Sequence, residues 1–417
     1  MIVNVVVVVL VVALLQCTTS SSSSSSSSSG SSSSSTMSKR ISIIGGGMTG
    51  LSIACHLIEK IGKGSRLHID IYDSRKAGQA LASSVAAGLM HPLSPKGALI
   101  WKGEKGYEKT RALLDTVQGY SGDKKLYSSD ELLIRPFSKT DELEQYKKSS
   151  LKIPHWIQMV DANEMVSLLG SHAVADTIIG GAIIKNSINI NCPLYLESMW
   201  GYINHNSNAN WIAKDIDKEE FTSLFDQNDV VIAACSTGIT KLHDVNENDR
   251  VLNRLKYVRG QNIYIRMNEN DKMNNIINGR YVVCKELDHY GKVYLCGATY
   301  EYMEDQQLYG PPNVDIAKGM LIDKLSELNQ DLKHREVIGA NAGVRLTTIK
   351  SKHGKIPFIR RHQSQDHVWF VGGFGSHGLI HHSLVAEVVA ESALTGSNSN
   401  AYPELYEYDP ELIPLQV

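Results

Sequence analysis

Cysteine is scarce in this chain: there are six in 417 residues, and no two stand as a C-x-x-C pair. That excludes a disulfide scaffold and the common zinc-binding spacings, and leaves buried or incidental thiols. Charge of one sign is scarce too. The formal net charge is -2, whereas nucleic-acid-binding domains are as a rule basic, so the bulk balance gives no argument for such a partner. No internal repeat recurs. Long apolar runs are limited to Met1–Leu15, short of the roughly 20 residues that a spanning helix needs. That run fits the apolar part of a secretory signal, although no Lys or Arg precedes it. A serine tract from Ser20 to Ser35, broken by Gly30, follows it. Such a tract cannot bury apolar surface, so residues 1–39 are set outside the fold as a tail. Met37, in Met-Ser-Lys-Arg, is the alternative start. The location follows from that choice: the secretory route or a plastid with the segment, the cytoplasm from Met37. No membrane span is expected in the folded core.

What is present is an ordinary globular composition, 42% hydrophobic and 21% charged, ample for a large core divided among domains. Ile41–Ile44 reads as a short buried strand. Gly45-Gly46-Gly47-Met48-Thr49-Gly50 follows, and Leu51, Ala54, Leu57, Ile58 and Ile61 then recur at helical spacing. Leu67–Tyr72 is a second strand, ending at Asp73, which completes a βαβ unit. Glu131–Phe137 reads as a strand and Asp161–Leu169 as a short helix. Asp229–Ala234 suits a strand buried on both faces. Val251–Arg266 and Tyr281–Thr299 carry the alternation of antiparallel strands. Val337–Leu346 and Val368–Val371 are further strands, and Leu379–Leu394 is a long helical pattern.

Gly45-x-Gly47-x-x-Gly50 has the chemistry of a phosphate-binding turn. Gly45 permits the tight turn, Gly47 lets the backbone approach a pyrophosphate, and Gly50 lets the helix lie close to the strand. The helix N-terminus directs free N–H groups at the phosphates. Asp73, at the end of the next strand, is placed to accept hydrogen bonds from a ribose. This arrangement implies a dinucleotide without separating NAD from FAD.

Five further segments separate them by resemblance. Ala82-Ser83-Ser84-Val85-Ala86-Ala87-Gly88 resembles the Ser-x-Ala-Ala-Gly segment of the D-amino-acid-oxidase and glycine-oxidase family, which runs past the flavin. Gly372-Gly373-Phe374-Gly375-Ser376-His377-Gly378-Leu379 resembles that family's C-terminal turn, which brings a helix N-terminus to the flavin pyrimidine ring. Ala342-Gly343-Val344-Arg345-Leu346 is similar to its Gly-x-Arg-Pro element, whose arginine grips the substrate carboxylate. Here Leu346 stands in place of the proline. Gly297-Ala298-Thr299-Tyr300-Glu301 resembles a strand end that shapes the substrate cavity, and Ala233–Gly238 resembles the turn on the adenine side.

These segments stand in family order from Ile41 to Gly396. The resemblance implies an α/β fold (α+β overall): a Rossmann-like FAD-binding domain with an interleaved antiparallel-sheet substrate domain. The FAD-binding domain is drawn at 40–125, 185–245 and 335–400, the substrate domain at 126–184 and 246–334, and a tail at 401–417. The implied cofactor is FAD, held by Gly45, Gly47, Gly50, Asp73, Ser83, Ser84, Ala87, Gly88, Ala234, Gly373, Gly375, Gly378 and Leu379. The implied catalytic residue is Arg345, and no metal is called for. The implied reaction is oxidation of the C–N bond of a small amine or amino acid, with O₂ or another acceptor taking the electrons. His377 is read as a turn residue rather than an acid or base; Tyr300 and Tyr302 are cavity candidates by position. Within the family, the C-terminal run is most similar to the FAD-dependent half of bifunctional tRNA-modifying enzymes that make 5-methylaminomethyl-2-thiouridine. The alternative reading is therefore removal of a carboxymethyl group from a wobble uridine of tRNA. It needs a basic surface path, for which Lys96–Arg111 and Arg254–Arg266 are the candidate stretches.

Overall fold

The computed structural model describes residues 39–407 apart from 63–66, 80, 171–172, 244–250, 268–272, 289–290 and 304–309. The signal-like run, the serine tract and Met37 lie outside the described residues.

A six-stranded sheet carries the nucleotide half. Its spatial order is β17 (Phe358–Arg361), β18 (Val368–Gly372), β10 (Val230–Ala233), β1 (Lys39–Ile44), β2 (Leu67–Tyr72) and β9 (Asn208–Ile212). All pairs are parallel except β17 with β18. Helices cover both faces, so the central strands read as unbroken apolar runs: Ile41–Ile44 and Val230–Ala233 are buried throughout. Helices Met48–Ile61, Cys192–Asn206 and Gly378–Thr395 pack on one face through Leu51, Tyr195 and Val385. Phe221, Phe225, Phe358 and Phe370 fill the other.

The second sheet has nine strands. Its order is β15 (Glu301–Met303), β11 (Lys256–Met267), β14 (Gly291–Gly297), β13 (Tyr281–Asp288), β12 (Asn275–Ile277), β5 (Leu133–Phe137), β7 (Gly180–Ile184) and β6 (Ile157–Val160), with β16 (Val337–Thr347) beside β11. Among its described pairs only β12 with β5 is parallel. A small sheet of β3 (Leu89–Met90), β8 (Ile188–Ile190) and β4 (Tyr127–Ser128) completes the described strands.

Two expected boundaries move. β16 pairs with β11 from Thr347 opposite Lys256 to Val337 opposite Ile265, so 337–347 lies in the second sheet rather than with the FAD-binding strands. The tail expected from residue 401 begins later. Leu405 is fully buried, Tyr402 meets the edge of Trp101 at 5.9 Å, and Trp101 Nε1 donates to Glu404 at 2.9 Å. Residues 408–417 lie outside the described residues.

Candidate active site

The first helix begins where the turn demands it. Gly45 has φ +110°, and a Cβ there would stand 2.7 Å from the Ala234 carbonyl oxygen. A Cβ on Gly50 would stand 1.9 Å from the Gly45 carbonyl oxygen, so the helix lies against the strand only because Gly50 has no side chain. Gly47 differs: its φ of -81° is open to any residue, and it faces the cavity with Ser83 Oγ 3.0 Å from its would-be Cβ. No side chain caps this helix at its N-cap position. Ser83 Oγ, from another segment, accepts the Met48 N–H at 3.2 Å. Asp73 holds the turn by accepting from Gly46 N at 2.9 Å and from Arg75 N at 2.9 Å. Each carboxylate oxygen keeps lone pairs for a ribose hydroxyl.

From this turn a cavity of about 1100 Å³ runs toward the second sheet. That exceeds the range of about 300–1,000 Å³ that small ligands usually occupy, and leaves room for a dinucleotide together with a substrate. Ala234–Gly238 line its nucleotide end; Val85–Ala87 and Gly373–Leu379 line its middle. The helix Gly378–Thr395 also starts without a side-chain cap, and its first residues face the cavity. A glycine cradle, a ribose-ready carboxylate and two helix N-termini whose N-cap residues supply no capping side chain, all on one cavity, fit FAD.

The end of the cavity against the second sheet is built by register. On β16, Gly343 and Arg345 share a face because side chains alternate along a strand. A Cβ on Gly343 would meet Val85 Cγ2 at 2.6 Å, so its absence lets the Ala82–Val85 segment pack there. Arg345 comes next on that face and projects over Gly260: a Cβ on Gly260 would lie 3.3 Å from Arg345 Nη2. Its Cζ stands 5.8 Å from the Tyr300 ring centroid. Among the described residues no carboxylate pairs with Arg345. Tyr281, also on the cavity, donates to Asn262 Oδ1 at 2.7 Å, and Asn262 Nδ2 donates to Val85 O at 3.0 Å. Burial keeps the Tyr281 phenol protonated, against the opposing pull of Arg345. Asn262 therefore joins the Ala82–Val85 segment to Tyr281 of β13.

Three histidines beside or beneath the cavity are held neutral. Burial, with His377 and Arg135 adding to it, lowers His91 to about 4. Burial and His377 lower His381 to about 3, and burial with His56 and His381 lowers His382 to about 3. Burial, Lys355 and Arg345 also hold His377 low. Unfolding exposes these imidazoles to their ordinary value of 6.5. Between pH 6.5 and the folded values the unfolded chain binds more protons, so stability rises with pH there and is lost as pH falls. Each histidine contributes up to about 1.4 kcal/mol per pH unit in that window. His381→Gln is expected to flatten the pH 4.5–5.5 dependence of unfolding free energy, measured in urea, by about that amount. An unchanged slope would mean that His381 is not neutral in the folded state.

Of the residues expected from the sequence, Gly45, Gly47, Asp73, Ser83, Ala87, Ala234, Gly373, Gly375, Gly378, Leu379 and Arg345 line the cavity. Gly50, Ser84 and Gly88 do not. Gly50 is a packing glycine. Ser84 Oγ donates to Leu81 O at 3.4 Å. Gly88 has φ +88°, and a Cβ there would stand 2.1 Å from the Ile190 carbonyl oxygen. These three shape the site without facing it. Tyr300 faces the cavity; Tyr302 is exposed and stacks edge-on with it at 5.3 Å. The turn that a proline would impose after Arg345 is absent: β16 continues through buried Leu346 to Thr347. Gly260, Asn262, Tyr281, His91, Arg135 and Arg280 were missed. The basic stretches are neutralised in part. Lys105 pairs with Glu108, Lys109 with Glu387, Arg111 with Asp115 and Arg266 with Glu336. Arg259 is buried and donates to the Gly310 and Pro311 carbonyls. Among the described residues no helix is long and apolar enough to cross a membrane, and no cluster of metal ligands forms.

A family model described as DAO, FAD dependent oxidoreductase, matches residues 40–392. Among solved structures the fold is similar to glycine oxidase from Geobacillus kaustophilus (TM-score 0.70, 15% identity, 88% of this chain and 98% of that one). It is also similar to iminodiacetate oxidase from Chelativorans sp. BNC1 (TM-score 0.68, 16% identity, 88% and 98%). A third is L-alpha-glycerophosphate oxidase from Mycoplasma pneumoniae, a structure with FAD bound (TM-score 0.62, 15% identity, 88% and 98%). No curated protein matches the sequence significantly.

Proposed function

The chain belongs to the DAO family of FAD-dependent oxidoreductases, and from that premise we propose that it oxidises the C–N bond of a small amino acid or N-alkyl glycine. The observation that carries this reading is Arg345: a guanidinium on the cavity, past the Ala82–Val85 segment, with no carboxylate of its own among the described residues. A planar fork of that kind matches a substrate carboxylate in two parallel hydrogen bonds. Glycine oxidase and iminodiacetate oxidase, two of the structures that share this fold, are named for amines that bear a carboxylate.

FAD, when bound, supplies the two-electron acceptor for the hydride that leaves carbon. The chain's contribution is placement. Arg345 fixes the carboxylate, and the Gly260 backbone beneath it leaves room for the guanidinium. Tyr281 stays a neutral phenol and His377 a neutral imidazole, so Arg345 keeps an undivided positive charge beside them. The N–H groups at the start of Gly378–Thr395 point preorganised dipoles at the cavity where negative charge develops. The substrate nitrogen gives up a proton and its carbon a hydride, leaving an imine that water splits to a carbonyl and an amine. O₂ or another acceptor then takes the two electrons.

Turnover of the FAD-loaded protein with glycine, N-methylglycine and D-amino acids, read by trapping the carbonyl product, tests this. Carbonyl formed from at least one is expected. Failure with all of them, alongside carbonyl release from tRNA bearing a carboxymethylated amine, would replace the small substrate with the tRNA one.

A further inference from the structure

The cavity does not end at Arg345. Its far end is lined by His91, Arg135, Tyr146, Ile277, Arg280 and Tyr281. Register explains how they meet. Ile276 pairs with Ile134 across β12 and β5, and Ile277 pairs with Tyr281 across the β12–β13 turn. Side chains alternate, so Arg135, Ile277 and Tyr281 share one face of the sheet. Arg280 sits in the turn next to Tyr281.

Two arginines here have hydrogen-bonding capacity in hand. Arg135 is buried, 6% exposed, and donates through Nη2 to Glu142 at 3.1 Å. Its Nε is buried and has no partner. Arg280 donates through Nη1 to the Gly279 carbonyl at 3.1 Å, and its Nε too is buried and without a partner. Among the described residues no carboxylate pairs with Arg280. Glu142 already balances Arg135, whereas Arg280, only partly buried, has no carboxylate among the described residues, so an anion entering the cavity would meet one unbalanced guanidinium and further N–H donors on both. The count of charges selects the anion. Arg135 and Arg280 bring two positive charges and Glu142 removes one. His91 adds none, since it is neutral and its Nδ1 accepts from Leu93 N at 3.3 Å. One net positive charge matches a carboxylate better than a dianionic phosphate.

We propose that Arg135 and Arg280 form a second carboxylate subsite, so that the preferred substrate is an amine carrying two carboxylates, one on Arg345 and one at the far end of the cavity. This rests on the amine-oxidation reading above and narrows it.

The test compares matched amines on the FAD-loaded enzyme: N-methylglycine, iminodiacetate and N-(phosphonomethyl)glycine. The expected kcat/KM for iminodiacetate exceeds that for N-methylglycine by about tenfold or more, the effect of one charged hydrogen-bonded contact. Arg280→Met is expected to collapse that ratio toward one, chiefly through KM. Arg135→Met should do the same; because it strands Glu142 it can fail to fold, and Arg280→Met then decides the matter alone. Calorimetric binding of glutarate, which has no amine to oxidise, gives a readout independent of turnover, and Arg280→Met should weaken it about tenfold or more. A ratio near one in the unaltered enzyme would overturn the subsite, as would a ratio that Arg280→Met leaves alone, or a preference for the phosphonate. If glutarate binds and Arg280→Met weakens it while no amine is oxidised, the subsite stands and the amine-oxidation reading falls.

Discussion

Arg345→Ala is expected to lower kcat/KM for a carboxylate-bearing amine by about 10³-fold while leaving the fold intact. Truncating one partner of a buried, hydrogen-bonded charge pair costs about 2–5 kcal/mol, and a bidentate guanidinium–carboxylate pair belongs in the upper part of that span. Both KM and kcat should suffer, because the same contact binds the substrate and sets its C–H in place. Stability should change by less than about 1 kcal/mol, since no described carboxylate is left without its partner when the guanidinium goes. Arg345→Lys should recover only part of the loss, because an ammonium cannot reproduce the planar fork. Steady-state kinetics beside thermal unfolding separates the cases. Equal losses for carboxylate-bearing amines and for amines without one would remove Arg345 from the role of carboxylate anchor.

The second large effect divides the glycine turn into its two jobs. Gly47→Asp should give a folded protein that no longer retains FAD. Gly47 has φ -81°, and its would-be Cβ is crowded only by Ser83, so the backbone accepts a side chain. The added charge would stand where the helix N-terminus invites a phosphate. Two like charges about 4 Å apart near a protein surface repel by on the order of 4 kcal/mol, or roughly a thousandfold in affinity. Gly50→Ala should instead damage the fold, because its Cβ would lie 1.9 Å from the Gly45 carbonyl oxygen and neither backbone can yield. A cost of about 3 kcal/mol or more is expected from such overpacking. Absorbance of the purified variants reports cofactor content, and their circular dichroism melts report the fold. Gly47→Asp protein that keeps a full complement of FAD would place the pyrophosphate somewhere other than this turn.

The nucleotide half was legible because local chemistry and fold agree there. An apolar strand, three glycines at fixed spacing and an acidic residue at the next strand end each answer one local requirement, and the structure has the tight turn at Gly45, the close helix approach at Gly50, and Gly47 and Asp73 on the cavity. Arg345 was legible by resemblance, and the structure supplies a reason for its spacing: Gly343 receives the Ala82–Val85 segment, and the next position on that face reaches the cavity. The far end of the cavity was not legible. Arg135, Arg280 and His91 come from a mid-strand position, a hairpin turn and a connecting segment, and nothing local marks a mid-strand arginine as a cavity residue. Long-range pairing alone brings them together. The helices Gly103–Val117 and Cys192–Asn206 were missed for a related reason. Cys192–Asn206 buries one face through Cys192, Tyr195, Leu196, Met199, Tyr202 and Ile203, but apolar Leu194 and Trp200 stand off that face and blur the helical period. Gly103–Val117 lies close to Gly378–Thr395 through Gly106, whose would-be Cβ stands 2.5 Å from the Ile380 carbonyl oxygen. A glycine serving close helix approach reads locally as a break.

The most direct test of the central claim is the visible spectrum of the FAD-loaded protein, begun at Met37, as N-methylglycine, glycine, iminodiacetate or a D-amino acid is added without oxygen. The account predicts bound-flavin bands that bleach with at least one of these, with about one carbonyl product formed per flavin reduced. Failure to bind FAD at all, or bands that none of these amines bleaches, would contradict it.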